Sequence, residues 1–143
     1  MTVNTTGSAP ETAGVTRANR IAGRAGLVLS VLIGLFLLFD AVSKLLASRA
    51  EVAAADGLGF TAGALPVMGA LLLLSVVLYA VPRTSVFGAV LITAYLGGAF
   101  CATLRIHAPL FPVLLAPVLV AVPVWLGLYL RSPALRRLVH SGP

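Results

Sequence analysis

Apolar residues fall into four long runs along this chain, and each run is nearly free of charge. The most informative motif, PRTSVFGAVLITAYLGGAFCATLR, has an arginine near each end and no charge between Thr84 and Leu104. A bilayer core of about 30 Å needs roughly 20 apolar residues in a helix, so this run suits one membrane crossing. The pattern predicts an all-α, four-transmembrane-helix bundle with spans at residues 25–47, 63–81, 85–104 and 110–130.

The composition excludes an ordinary soluble domain. The 143 residues are 59% hydrophobic and 10% charged, with a mean hydropathy of +1.06. A chain this short cannot bury every face of four apolar helices. Its single cysteine, Cys101, excludes an internal disulfide, and Cys101, His107 and His140 do not have the spacing of metal ligands.

Basic residues predict how the bundle is oriented. Three of the ten lie on one side of the predicted bundle, namely Lys44, Arg49 and Arg105. The other seven lie on the opposite side: Arg17, Arg20, Arg24, Arg83, Arg131, Arg136 and Arg137. The positive-inside bias therefore places both termini in the cytoplasm of a bacterial-type plasma membrane. Since the net charge of +6 follows the helix ends, nucleic-acid binding is not expected.

The chain divides into three parts on this interpretation. Residues 1–20 begin rich in Thr, Ala, Gly and Ser and predict a disordered cytoplasmic tail. Residues 21–131 form the transmembrane domain, and residues 132–143 form a short basic cytoplasmic tail. Asp40 and Lys44 within the first apolar run favour a retained helix over a cleaved leader.

Glycines and prolines predict the connections between the spans. Residues 48–62 form the only long connection, and three glycines in it or directly after it predict turns rather than a further span: Gly57, Gly59 and Gly63. Pro82 ends the second span, and we expect Thr84 to cap the third with its hydroxyl. Three prolines predict a kink in the middle of the fourth span: Pro112, Pro117 and Pro123.

Asp40 is the first candidate for chemistry, because a carboxylate about 22 Å along the first span is costly in lipid. Ser43 and Lys44 follow on the same helix face. One interpretation is a structural Asp40–Lys44 pair near the outer interface. The other is a polar pocket at the outer end of the bundle, where Arg105 and His107 join them and bind an acidic or quinone-like group. The residues alone leave both interpretations open.

Small residues form a stripe along the third span. Ala89, Thr93, Gly97 and Cys101 recur every four residues, and Gly98 lies beside them. Small side chains at this spacing let helix backbones approach closely, so the stripe predicts a helix-packing face.

The aromatic residues suggest anchors and packing. Tyr95 lies near the middle of the third span, where its hydroxyl needs a partner, so we expect it to face the bundle interior. Tyr79 and Tyr129 are expected to lie near the inner interface as anchors, and Trp125 is expected to anchor or pack slightly deeper.

Several segments together resemble the DoxX-like family of small four-helix membrane proteins. They are FDAVSKL, GLGF, LP-x-MG, the PRT-x-x-x-GA-x-L-x-T-x-YLGGA core and FPVLLAPVLVAVPVWLGLYLRSPALRRL, and together they cover about residues 27–138. The resemblance implies a set of family-typical positions: Lys44, Pro82, Arg83, Thr84, Gly88, Thr93, Tyr95, Gly97, Gly98, Arg105, Trp125 and Arg131.

What the resemblance implies about function is coarse. The wider DoxX group is associated with membrane oxidoreductase systems, including a quinone-reducing thiosulfate enzyme in which a DoxX-type chain is one subunit. Relatives often carry an acidic residue near the middle of the second span, where this chain has Leu71–Leu74. A functional role for that carboxylate would therefore be absent here or would shift to Asp40.

We expect a non-catalytic membrane subunit, or a bundle that binds a quinone or lipid, assisting a membrane redox or envelope-stress system. The alternative is a quinone-linked oxidoreductase or a proton-coupled transporter that uses Asp40 or Arg105. A third hypothesis is a helper that forms homo-oligomers through the Thr93–Gly97–Cys101 stripe. The expected partners are the lipid bilayer and either redox-enzyme subunits or further copies of the chain. No cofactor other than a quinone is expected.

Overall fold

The chain is all-α. The computed structural model describes residues 10–107 and 109–132, and for residues 10–19, 110 and 112 it describes the backbone alone. Five α-helices and one π-helical turn follow each other in this part of the chain: α1 (Pro10–Leu45), α2 (Arg49–Gly57), α3 (Ala64–Ala80), α4 (Ser85–Arg105), the π-helical turn (Leu110–Leu114) and α5 (Ala116–Arg131).

The first helix begins earlier than the sequence suggested. Helix α1 starts at Pro10 and so includes residues 10–20, where we expected a disordered tail. Proline suits the first turn of a helix because its fixed φ is helical and its missing N–H would have no partner there. Residues 1–9 and 133–143, which include His140 and the predicted basic tail, lie outside the described residues.

A second difference is α2, which occupies the connection where only turns were predicted. Its start carries a recognisable signal, since Ser48 and Glu51 have the spacing of a capping box. The Ser48 hydroxyl accepts a hydrogen bond from the Glu51 amide at 3.4 Å. The helix has nine residues and three of them are charged at neutral pH, so it lacks the long apolar run of a membrane span.

Gly59 follows the end of α2 and adopts a backbone conformation that is common after the last turn of a helix. Gly59 has a φ of +78°, a left-handed conformation that costs glycine little. Its amide donates to the Asp56 carbonyl at 2.9 Å, and the Phe60 amide donates to the Ala55 carbonyl at 2.8 Å. These two bonds form a Schellman motif, which satisfies carbonyls at the end of the helix.

Helices α3 and α4 form an antiparallel hairpin around Pro82. The Thr84 hydroxyl makes no capping hydrogen bond to α4, contrary to our expectation. It donates to the Leu78 carbonyl at 2.9 Å and so connects the turn to the end of α3. Gly88 of α4 approaches the backbone of α3 so closely that a Cβ atom there would collide with Tyr79. The close packing of the hairpin therefore requires glycine at position 88.

The fourth apolar run is interrupted near its start rather than in its middle. Phe111 has extended backbone angles, φ −125° and ψ 132°, inside the π-helical turn. It precedes Pro112, and a residue before proline is forced away from helical angles by contact with the ring. Pro117 lies in the first turn of α5, which tolerates proline, and Pro123 lies inside that helix.

The helices pack in a ring in which α1 contacts α3 and α5, and α4 contacts α3 and α5. Tyr79 of α3 lies in the core at one end of this ring, where its side chain is only 1% exposed. Its hydroxyl lies 2.9 Å from the Val124 carbonyl of α5 and 3.1 Å from Oγ of Ser30 on α1. We predicted an interfacial anchor at Tyr79, and that was wrong: the residue lies in the core.

Arg131 completes this end of the bundle. Its guanidinium lies 4.8 Å from the centroid of the Tyr79 ring and donates to the Tyr79 carbonyl at 2.5 Å. Such a cation over an aromatic face is attracted by the ring quadrupole. We call this end, centred on Tyr79, the closed end of the bundle.

The outer surface exposes more large apolar side chains than is usual for a protein in water. Phe39 is 73% exposed and Phe87 is 70% exposed, and many other large apolar side chains share this surface. Two helical stretches are long and apolar enough to cross a bilayer, Arg20–Leu45 and Ser85–Arg105, and two shorter apolar helices accompany them, Ala64–Ala80 and Ala116–Arg131.

Candidate functional site

A cavity of about 540 Å³ occupies the opposite end of the bundle, which we call the open end. Its walls come from α1, α3, α4 and α5, and α2 covers one side. The volume lies within the range of about 300–1,000 Å³ that is usual for small-molecule sites. Most of the wall is apolar, with Leu37, Leu65 and Val120 among its residues.

One end of this cavity carries three ionisable side chains. Lys44 Nζ lies 2.6 Å from a carboxylate oxygen of Asp40 and 3.2 Å from a carboxylate oxygen of Glu51. The three side chains are only 16%, 31% and 22% exposed, in the order Lys44, Asp40 and Glu51. We call this group the charged cluster.

The folding of α1 and α2 explains how the charged cluster forms. Asp40 and Lys44 are four residues apart, so they face each other on α1. Glu51 is the third residue of α2, and the Ser48 cap sets the start of that helix. The predicted Asp40–Lys44 pair is present, and Glu51 joins it from the helix that the sequence analysis missed. The Ser48–Glu51 capping box was the signal that could have revealed it.

Tyr95 of α4 lines the same cavity and faces the interior, where we expected it. Within the described part of the chain, no hydrogen bond joins its hydroxyl to another residue. A phenolic hydroxyl can both donate and accept, so Tyr95 offers a polar contact from the α4 wall. Asp40, Lys44, Glu51 and Tyr95 therefore supply the titratable groups that line the cavity.

Arg105 and His107 lie elsewhere. Both side chains are exposed, and neither lines the cavity. The Arg105 guanidinium lies against Gly59, where a Cβ atom would come within 2.9 Å of Nη2. Ser43 is half-buried on α1 but does not line the cavity either.

Asp40 and Lys44 thus stay together, but Arg105 and His107 do not join them as the pocket interpretation expected. Arg105 ends α4 and lies beside the turn after α2, and a cation is favourable at the C-terminal end of a helix. Lys44 pairs with Asp40 and Glu51 instead, and Arg105 does not line the cavity that these three residues share.

The small-residue stripe on α4 is packed only in part. Ala89 is fully buried, and the Thr93 hydroxyl accepts a hydrogen bond from Nε1 of Trp125 at 2.9 Å. Gly97 and Cys101 are exposed, and a Cβ atom at Gly97 or Gly98 would meet no atom within 4 Å. Gly98 faces the cavity, whereas Gly97 and Cys101 do not line it. Packing of Gly97 and Cys101 against another copy of the chain stays a prediction.

The charged cluster suits hydrogen bonding more readily than metal binding. Lys44 has three donors, and the two carboxylates engage two of them. Among residues 10–107 and 109–132, no group of three or more His, Cys, Asp and Glu side chains is placed to hold a metal ion. The site can therefore offer a polar atom both donors and acceptors, while the apolar wall holds a hydrophobic body.

Comparison with known protein families identifies a family for this chain. A family model described as the DoxX-like family matches residues 28–127. This range includes α2, the cavity walls from α1, α3 and α4, and most of α5. Comparison with curated proteins and with solved structures gives no match.

Proposed function

The chain belongs to the DoxX-like family of membrane proteins, and from this premise we propose that it is a non-catalytic bundle that binds a quinone or a lipid in the open-end cavity. The observation that carries the proposal is the cavity itself, with an apolar wall and the charged cluster at one end. This combination matches the usual character of small-molecule sites, where a few polar groups orient a mostly hydrophobic ligand.

The chemistry of the cavity suits an amphipathic ligand. Quinone carbonyls accept hydrogen bonds, and Lys44 and Tyr95 both supply donors toward the cavity. A lipid hydroxyl or ester has similar needs. The apolar wall would hold the ring substituents or the acyl chain, since burying apolar surface is favourable in proportion to area.

We further propose that four segments cross the membrane and that both termini face the cytoplasm. Helix α3 has 17 residues, about 25 Å at 1.5 Å per residue, and the π-helical turn extends α5 toward the other surface. The distribution of Lys and Arg supports the orientation. A chain of this kind would assist a membrane redox or envelope-stress system as a subunit, or act as a homo-oligomer.

Cysteine labelling tests the topology. In a Cys101→Ala background, Thr61→Cys places a thiol in the exposed connection before α3, and Pro82→Cys places one in the exposed turn after α3. In intact cells, a membrane-impermeant maleimide should label position 61 directly and position 82 only after permeabilisation. Labelling of both positions from the same side would refute the four-span arrangement, and the reverse pattern would refute the orientation.

A matched pair of substitutions tests the binding proposal. Gly98 lines the cavity and Gly97 does not, yet both have open space where a side chain would start. We expect Gly98→Leu to abolish saturable binding of a fluorescent dodecanol probe, or of a short-chain benzoquinone that competes with it, in lipid nanodiscs. Gly97→Leu should leave binding unchanged.

Two outcomes would contradict the proposal. One is an absence of saturable binding to the wild-type chain, and the other is equal binding by the Gly98→Leu and Gly97→Leu variants. Circular dichroism of each variant provides the control for folding. Isolation of a redox-enzyme subunit with the mildly solubilised chain would support the assisting role.

A further inference from the structure

We propose that the charged cluster makes the cavity select neutral head groups over anionic ones, and that Glu51 determines this selectivity. The inference rests on the proposed binding function and adds the chemical class of the ligand's head group. The sequence had suggested an acidic or quinone-like ligand bound by Arg105 and His107, and the inference excludes the acidic one of these two classes.

The charge balance at the polar end of the cavity is the first step. Two carboxylates, Asp40 and Glu51, face one ammonium, Lys44, so the cluster has a formal charge of −1 when all three are ionised. Both carboxylates lie within ion-pairing distance of the same nitrogen. Lys44 therefore has no unbalanced positive charge to offer an incoming anion.

The described residues around the cluster do not neutralise its excess negative charge. Lys44 is the only basic residue among the described residues that line the cavity, since Arg105 lies outside it beside Gly59. A carboxylate, phosphate or sulfonate head would enter an apolar site that already has excess negative charge. Like charges repel more strongly there than in water because the local dielectric constant is low.

A neutral head group is not repelled by this negative charge, and it can form hydrogen bonds with the cluster. The third donor of Lys44 and the Tyr95 hydroxyl can donate to a carbonyl or ether oxygen. The carboxylate oxygens of Asp40 and Glu51 can accept from a hydroxyl or amide. These bonds form without separating the Asp40–Lys44 pair, so a neutral amphiphile keeps the cluster intact.

Glu51 is the member of the cluster that can be changed with least disturbance. Asp40 and Lys44 share one helix and a contact of 2.6 Å, whereas Glu51 comes from α2 and lies 3.2 Å from Lys44. Glu51→Gln removes one negative charge and keeps the side-chain length and an oxygen acceptor for Lys44. Asp56→Asn is the matched control, because Asp56 is exposed on the same helix and does not line the cavity.

The test compares two fluorescent probes with the same dodecyl chain, one ending in an alcohol and one in a sulfonate, which stays ionised. Binding is measured with the full chain in nanodiscs of zwitterionic lipid, and signal from protein-free nanodiscs is subtracted. We expect the wild-type chain to bind the alcohol at least about tenfold more tightly, as one like-charge repulsion in a poorly screened site implies. Glu51→Gln should bring the two affinities close together, and Asp56→Asn should leave the ratio unchanged.

Equal affinity of the wild-type chain for the alcohol and the sulfonate would overturn the selectivity while leaving the binding proposal intact. An equal effect of Glu51→Gln and Asp56→Asn would overturn the role of Glu51, because the general surface charge would then explain the preference. Absence of saturable binding of either probe would overturn the binding function and this inference with it. The wild-type comparison does not depend on any variant folding.

Discussion

Removing the hydroxyl of Tyr79 should destabilise the closed end of the bundle without creating a cavity in its core. Tyr79→Phe keeps the buried ring, and with it the contact to Arg131 at 4.8 Å. It removes the hydrogen bonds to Ser30 and Val124, which connect α3 to α1 and α5. Because Tyr79 is only 1% exposed, water does not replace these bonds.

The magnitude follows from those two contacts. A buried hydrogen bond contributes about 0.5–1.5 kcal/mol net, and interhelical bonds within membranes average about 0.6 kcal/mol with a maximum near 1.7. Tyr79→Phe should therefore lower the free energy of unfolding by about 1–3 kcal/mol. The assay is unfolding in mixed micelles with increasing dodecyl sulfate, followed by circular dichroism and by the emission of the single tryptophan, Trp125.

Two further variants make the result specific. Tyr129→Phe is the matched control, because no hydrogen bond joins the half-buried Tyr129 hydroxyl to another described residue. Its effect should stay within about 0.5 kcal/mol. Combining Tyr79→Phe with Ser30→Ala should cost less than the sum of the single changes, since both remove the same contact. The reasoning fails if Tyr79→Phe is as harmless as Tyr129→Phe.

Three other predictions concern packing and backbone geometry. Gly88→Leu should prevent formation of the α3–α4 hairpin, seen as loss of folded protein on gel filtration, because its Cβ would collide with Tyr79. Thr93→Val should lower the free energy of unfolding by about 1 kcal/mol in the same micelle assay, because the indole N–H of Trp125 loses its acceptor. The emission maximum of Trp125 should also change, and an unchanged spectrum would contradict that contact. Gly59→Ala should cost about 1–2 kcal/mol at a φ of +78° and speed hydrogen exchange in α2, and unchanged exchange would count against the Schellman end.

Hydropathy and local spacing predicted much of this fold. The apolar runs match α1, α3, α4 and α5 to within a few residues at most ends, because long apolar helices have a strong composition signal. The Asp40–Lys44 pair follows from spacing on one helix, which needs no knowledge of neighbouring elements.

The remaining features depend on how the helices rotate and where they separate. Tyr79 lies near the end of its apolar run, so its depth suggested an anchor, yet the rotation of α3 directs its side chain into the core. Arg105 was assigned to the outer polar group from depth alone, whereas its side chain lies beside Gly59, outside the cavity. Glu51 was missed because α2 has no apolar run, although its capping box was present in the sequence.

Native mass spectrometry of the gently solubilised full chain most directly tests whether the open-end cavity binds a ligand. We expect a population of the wild-type chain to carry one small amphipathic molecule without formal charge, in the quinone or lipid class. Gly98→Leu should lose this molecule, and Gly97→Leu should retain it. An empty wild-type chain under conditions that preserve its fold, or the same adduct on the Gly98→Leu variant, would contradict binding in the cavity.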